Sequence, residues 1–179
     1  GALLTGHFQL TSCKHSAVYF QAMTLLQHPR LAGMVASAAA RHFEGVRLDV
    51  TFAPAVGGVV WGFALAQHFA DCRAVFAERV EGKMALRRQF EIRPGEKVLL
   101  AEDVTTTGGS VMELKAIAEA AGAEIVGLAT VLDRSGGQFK PGMPHFAWAR
   151  LAIEAWEPVA CPLCAEGGVA VKPGSRGLR

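Results

Sequence analysis

Residues Val98 to Met112, reading VLLAEDVTTTGGSVM, constrain the fold more tightly than any other stretch of the chain. An apolar run, Val98 to Ala101, meets two adjacent carboxylates, Glu102 and Asp103. Three threonines, two glycines and a serine follow before apolar helical spacing resumes. The order predicts strand, loop, helix. An unbroken apolar run is what a strand buried on both faces requires, and such strands belong to parallel sheets covered by helices. The expected class is therefore α/β.

The loop offers what a polyanion needs, because a parallel sheet leaves a crevice beside the carboxyl ends of its strands. Thr105, Thr106, Thr107 and Ser110 bring hydroxyls, and Gly108 and Gly109 let the backbone approach without a Cβ. The helix that follows turns unpaired N–H groups and its positive dipole end toward the same loop. This is a phosphate cradle. Glu102 and Asp103 precede it and suit sugar hydroxyls or a magnesium ion, so the ligand implied is a sugar phosphate. A helix capped by Ser or Thr, with its acids in solvent, accounts for the same residues without any ligand. Neither of two other nucleotide motifs fits, since there is no GxxxxGK[ST] and no GxGxxG after a strand.

The rest of the chain alternates strands and helices around this unit. Gly1 to Gln9 begins mid-pattern without a methionine, so a preceding helix is expected in the natural protein. Helical spacing is expected over Ala17–Leu26 and over Arg30–Phe43, the second alanine-rich, with His28 and Pro29 between them. Leu48–Phe52 reads as a strand broken at Pro54, and Pro54 to Gly58 opens an apolar helix through Phe69. Ala74–Ala77 reads as a short strand. Glu78–Arg88 carries Arg79, Lys83, Arg87 and Arg88 around Gly82. Such a run is an ordinary solvated face or a mobile lid closing on an anion. Phe90 and Ile92 suggest a resumed strand, and Pro94-Gly95 a turn. After the cradle, Val111–Ala121 reads as an amphipathic helix stopped by Gly122, and Ile125–Leu132 as a strand, completing a βαβ unit. That strand ends at Asp133 and Arg134, so Arg134 should face the same crevice as Thr106. Phe146–Trp156 supplies a last strand, and Pro158–Arg179 shows little periodicity.

At 179 residues and 51% apolar, the chain suits one α/β domain over 1–179. A net charge of +2 gives no nucleic-acid footprint. No apolar run of about 20 residues suggests a membrane span, and no signal peptide is evident, so a cytoplasmic protein is expected. Cys161 and Cys164 form the single CxxC, two ligands short of a structural zinc site, and ordinary reduced thiols are expected there, with a metal or redox role as the alternative. The six histidines show no HExxH or paired spacing.

The apolar strand end, Glu102-Asp103-Val104 and TTTGG together resemble the phosphoribosyl-diphosphate (PRPP) signature of the type I phosphoribosyltransferases. HSAVYFQ (15–21), AERVEGKMALRRQFEI (77–92) and VLDR (131–134) extend the resemblance over nearly the whole chain to the orotate phosphoribosyltransferase branch. The resemblance implies a mostly parallel twisted sheet flanked by helices, with a small hood made of roughly residues 1–30 plus the C-terminal tail. It implies transfer of ribose 5-phosphate from PRPP to orotate, with Mg2+ bound mainly through PRPP rather than by protein ligands. Glu102, Asp103, Val104, Thr105, Thr106, Thr107, Gly108, Gly109 and Ser110 would bind PRPP, and Thr106 and Arg134 would bind orotate. Arg79, Lys83 and Asp103 would be catalytic, in a homodimer whose lid is shared between subunits. A planar guanidinium at Arg134 suits the orotate carboxylate. Two positions depart from the pattern: Thr11 and Gly57 stand where many relatives carry lysine, and Lys14 is the nearest base to the first.

Two other readings use the same cradle. A purine or uracil phosphoribosyltransferase would recognise an uncharged base, and Arg134 argues for an anionic one. A PRPP-sensing regulator would bind without turnover, but such a protein usually needs a nucleic-acid surface, and neither charge nor a helix-turn-helix signal provides one.

Overall fold

A computed structural model describes residues 1–10 and 12–173. In chain order the strands are β1 (Leu3–Gln9), β2 (His15–Phe20), β3 (Val50–Pro54), β4 (Arg73–Val80), β5 (Lys83–Leu86), β6 (Lys97–Thr105), β7 (Glu124–Asp133) and β8 (His145–Arg150). The helices are α1 (Ala22–Leu26), α2 (Pro29–His42), α3 (Gly57–Ala66), α4 (Gly109–Ala120) and α5 (Pro162–Ala165). The main sheet runs β5-β4-β3-β6-β7-β8, and β1 pairs with β2 in a separate two-stranded sheet. Every pair in the main sheet is parallel except β4 with β5. The carboxyl ends of β3, β4, β6, β7 and β8 therefore share one edge.

β6 lies in the middle of the sheet, and Val98, Leu99, Leu100 and Ala101 are all fully buried. Alternation sends Leu99 and Ala101 toward the face covered by α2 and α3, while Val98 and Leu100 meet α4 on the other. A buried leucine contributes about 1.5–3 kcal/mol of transfer free energy, so both faces reward the same register. On α2 the buried residues are Ala32, Val35, Ala36 and Ala39, a single stripe at helical spacing. Trp61 of α3 is fully buried, and its indole N–H donates to the Ala129 carbonyl at 2.9 Å.

Several expectations need correction. Ala17–Phe20 is not helical: it belongs to β2, where valine and aromatic residues pair across from Leu3–Thr5, and only Ala22–Leu26 forms a helix. The Glu78–Arg88 segment is a β-hairpin rather than an unstructured connection. Its two turn residues, Glu81 and Gly82, have φ of 49° and 83°, as a two-residue turn of the kind that follows strand twist demands. Phe90 and Ile92 form no strand. Phe90 instead meets Phe76 edge-on at 4.9 Å, and Ile92 is buried in loop conformation. The last strand stops at Arg150, well before Trp156.

Up to residue 173 the tail carries more structure than its lack of periodicity suggests, and residues 174–179 lie outside the described residues. Trp156 exchanges two backbone hydrogen bonds of 2.8 Å with His15, and Val171 likewise bridges His7 and Gln9. Ser16 Oγ donates to the Glu154 carbonyl at 2.7 Å. Hairpin and tail together make the hood, seated on the segment that leaves β8. Thr11 lies outside the described residues.

Candidate active site

β6 does not stop at its carboxylates but continues through Glu102, Asp103 and Val104 to Thr105. Gly108 then serves as the N-cap of α4, at φ 79° and ψ 9°, where a serine or threonine cap was the ordinary expectation. A side chain at Gly108 would be in the left-handed region and would run into the Phe139 ring. Among the described residues, none of the backbone N–H groups from Thr106 to Val111 donates to a protein acceptor. These donors line a cavity of about 220 Å³ together with Glu102, Val104, Thr105, Arg79 and Glu113. Consecutive N–H groups turned inward at a helix start make an anion site.

The two carboxylates part company. Strand alternation turns Glu102 into the cradle cavity and Asp103 to the α3 face, where a Cβ on Gly57 would collide with the Asp103 carboxylate. Glycine at 57 thus lets α3 begin beside this acid. Asp103 Oδ1 accepts the Val104 N–H at 3.0 Å. Glu102 is buried, and that burial, reinforced by Asp103, holds its carboxyl well above the usual carboxylate range, while Arg79 pulls the other way.

Arg79 reaches the cavity from the hairpin. Its guanidinium meets Glu113 of α4 in the same chain at 2.7 Å and 3.2 Å, and Glu113 also accepts the Met84 N–H at 3.2 Å. The Arg79 hydrogen bond lowers the Glu113 pKa. Glu113 carried no signal in the sequence, because an acid on an amphipathic helix reads as a solvated face. Lys83, past the turn, is exposed and has no ion-pair partner among the described residues.

Arg134 follows β7, and its backbone N–H donates to the Thr105 carbonyl at 2.9 Å, locking the two strand ends together. Its side chain is half-buried with no hydrogen bond or ion pair among the described residues. Burial lowers its pKa, and Tyr19 of the hood opposes the shift. A guanidinium so placed has the geometry to pair with a planar anion through two N–H groups. Its neighbour Asp133 is fully buried and structural, with Oδ1 accepting from the Ser135 N–H at 2.9 Å and hydroxyl at 2.6 Å. The structure thus gathers Glu102, Val104 to Ser110 and Arg79 around one cavity. Arg134 stands on the adjoining strand end, and Asp103 and Lys83 flank the site from other sides.

A loop of free N–H donors at the end of a central parallel strand, a cationic hairpin and, on the next strand, an arginine with no ion-pair partner among the described residues define a class. Residues 21–154 match the family model described as phosphoribosyl transferase domain, and the chain belongs to that family. Within it, the chain is 50% identical over 175 residues to an orotate phosphoribosyltransferase of Caldicellulosiruptor bescii, covering 98% of this chain and 92% of that protein. It is 44% identical over 176 residues to that of Desulforamulus reducens, covering 98% and 92% respectively. The particular family is therefore that of the orotate phosphoribosyltransferases. Two solved structures share the fold. The orotate phosphoribosyltransferase of Aeropyrum pernix matches with TM-score 0.69 at 21% identity, over 84% of this chain and 89% of that one. That of Mycobacterium tuberculosis in complex with PRPP matches with TM-score 0.61 at 21% identity, over 75% and 81%.

Proposed function

We propose that this site transfers the ribose 5-phosphate group from PRPP to N1 of orotate, releasing diphosphate and giving orotidine 5′-phosphate in pyrimidine biosynthesis. The observation that carries this reading is the pairing of N–H donors in the cradle with the guanidinium of Arg134 one strand away, neither of which has a protein partner among the described residues. The first suits the donor's 5-phosphate. The second suits the acceptor's carboxylate, which a purine or uracil lacks.

The chain's own groups act mainly by position and field. Thr105, Thr107, Gly108, Gly109 and Ser110 hold the phosphate and so anchor the ribose, whose hydroxyls come within reach of Glu102. Accepting hydrogen bonds there, or lying near a cation, offsets the burial that raises the Glu102 pKa. Positive charge develops at the anomeric carbon as the glycosidic bond breaks, and the carboxylates of Glu102 and Asp103 favour it. Thr106 and Arg134 orient orotate, and as the N1–C1′ bond replaces the C1′–O bond to diphosphate the N1–H proton leaves with the departing diphosphate, whose oxygens are its nearest acceptors.

The donor set beside the cradle, two carboxylates and hydroxyl oxygens, suits a hard cation carried in on the diphosphate. Mg2+ would be held mainly by PRPP, with Glu102 the carboxylate that faces the cradle and Asp103 its neighbour on the other face of β6, and when bound would neutralise the departing diphosphate. Among the described residues no helix is long and apolar enough to cross a membrane, and the four cysteines are unbridged, which supports a role in the cytoplasm.

Our reading extends to a homodimer. Arg79 is held by its own chain's Glu113, whereas Lys83 projects from the hairpin with nothing to hold it. That asymmetry supports Arg79 serving its own cradle and Lys83 reaching the diphosphate in the neighbouring subunit's site. The test of the activity is direct: orotate should be consumed with PRPP and Mg2+, with neither adenine nor uracil replacing it. Turnover of uracil at a comparable kcat/KM would overturn the acceptor assignment.

A further inference from the structure

The hood brings together four side chains that the reaction does not use. His7 and His15 come from β1 and β2, and Cys161 and Cys164 flank the turn Cys161-Pro162-Leu163-Cys164 of the tail. One donor atom from each lies within 4.8 Å of all the others. His7 Nε2 is 3.0 Å from His15 Nδ1, 3.4 Å from Cys161 Sγ and 3.7 Å from Cys164 Sγ, and Cys164 Sγ is 3.2 Å from His15 Nδ1.

Hydrogen bonding does not explain this convergence. An imidazole nitrogen carries either one proton or one lone pair, so His7 Nε2 cannot satisfy three neighbours at once. Its other nitrogen, Nδ1, is buried without a hydrogen-bond partner among the described residues, so those three are the ring's hydrogen-bonding neighbours there. A single cation at the centre satisfies all four donors together. With metal bonds of about 2.0–2.1 Å to nitrogen and about 2.3 Å to sulfur, tetrahedral geometry sets donor atoms roughly 3.3–3.8 Å apart. The separations of 3.0, 3.2, 3.4 and 3.7 Å overlap that range, and no pair exceeds 4.8 Å.

We infer that His7, His15, Cys161 and Cys164 form a structural zinc site that ties the C-terminal tail to the hood hairpin. Two thiolates and two imidazoles suit zinc, while the hard cation of the reaction would find no oxygen ligand here. Four protein donors leave no open position for water or substrate, which sets the site apart from a catalytic centre. The ligands sit on a prepared frame: β1 pairs with β2, His15 exchanges backbone hydrogen bonds with Trp156, and Val171 bridges His7 and Gln9. The metal would therefore close a loop between segments about 150 residues apart in sequence, a long-range tie that favours the folded hood.

The experiment uses the full chain, produced in zinc-supplemented medium and also reconstituted with Zn2+ after chelation. Elemental analysis should find about one zinc per chain. A Cys161→Ser/Cys164→Ser protein should hold none. Replacement by Co2+ should give the intense d–d bands of a tetrahedral site together with thiolate-to-cobalt charge transfer. Zinc should protect two cysteines of the wild type from a thiol reagent, with Cys13 and Cys72 indifferent to the metal. This last measurement needs no variant, so it stands even if the double substitution fails to fold. Absence of stoichiometric zinc after reconstitution, zinc retained without both cysteines, or a Cys161–Cys164 disulfide in the freshly purified protein would each overturn the assignment.

Discussion

Replacing Gly108 by alanine isolates the contribution of the cradle's backbone. At φ 79° and ψ 9° an L-residue costs about 1–2 kcal/mol. The added Cβ also runs into the Phe139 ring, whose backbone N–H is anchored on Ser135 Oγ at 2.8 Å. Overpacking of that kind costs about 1–3 kcal/mol. Partial relaxation should leave a total of about 2–4 kcal/mol, which for a chain of this size lowers Tm by roughly 5–15 °C. Relaxation must also move the N–H groups that meet the phosphate. Losing one hydrogen bond to a charged group costs about 1.5–3 kcal/mol, or roughly ten- to a hundredfold in PRPP affinity. Gly109→Ala is the control. Its Cβ would meet nothing closer than Thr107 Oγ1 at 4.0 Å, and its φ is not positive, so Tm should hold or rise slightly. Thermal melts and calorimetric titration with PRPP on both variants decide the matter. Equal Tm and equal donor affinity in the two would refute the assignment of Gly108 as the residue that shapes the cradle.

Three other outcomes are expected. Arg134→Ala should raise the orotate KM by roughly ten- to a hundredfold while changing the PRPP KM little, and steady-state kinetics showing equal effects would remove Arg134 from the acceptor site. Because the folded pKa of Glu102 is raised, its favourable share of stability is full below about pH 4.3 and is lost as pH rises through the folded value. Glu102→Gln should accordingly gain Tm over the wild type as pH increases in ligand-free melts, yet bind PRPP less well; a constant Tm difference across pH would contradict the burial argument. Finally, Lys83→Ala and Asp103→Asn proteins, each inactive, should regain activity when mixed under conditions that exchange subunits, whereas persistent inactivity with proven exchange would confine Lys83 to its own subunit.

The local parts of this molecule were legible in the chain, and the parts assembled over distance were not. The strand, loop and helix of 98–112 could be read because a buried run, a polar loop and a helical stripe follow one another directly, and the same holds for α2 and β7. The β1–β2 hairpin was missed because its pairing partners compete with a weak helical spacing over Ala17–Leu26, and tertiary pairing won. Period-two alternation past Ala101 would have separated Glu102 from Asp103, but the acids looked like the end of the strand rather than its continuation. Glu113 and the two histidines of the hood had no pattern to betray them. Their partners, Arg79 and the paired cysteines, lie 34 and about 150 residues away.

On the proposed assignment, the Arg134 N–H bond to the Thr105 carbonyl makes the two substrate sites neighbouring teeth of one comb. Strands in a sheet stand about 4.8 Å apart, so the gap that the ribosyl group crosses is set by backbone pairing and not by loop conformation. Register between Thr105 and Asp133 keeps that gap the same whatever side chain follows β7. The acceptor tooth can therefore be recut, by changing the residues at 134 and beyond, while the donor tooth keeps its grip on phosphate. A sheet of this design separates the choice of base from the handling of the activated sugar, and a lineage can explore new acceptors without rebuilding the machinery that makes the transfer possible.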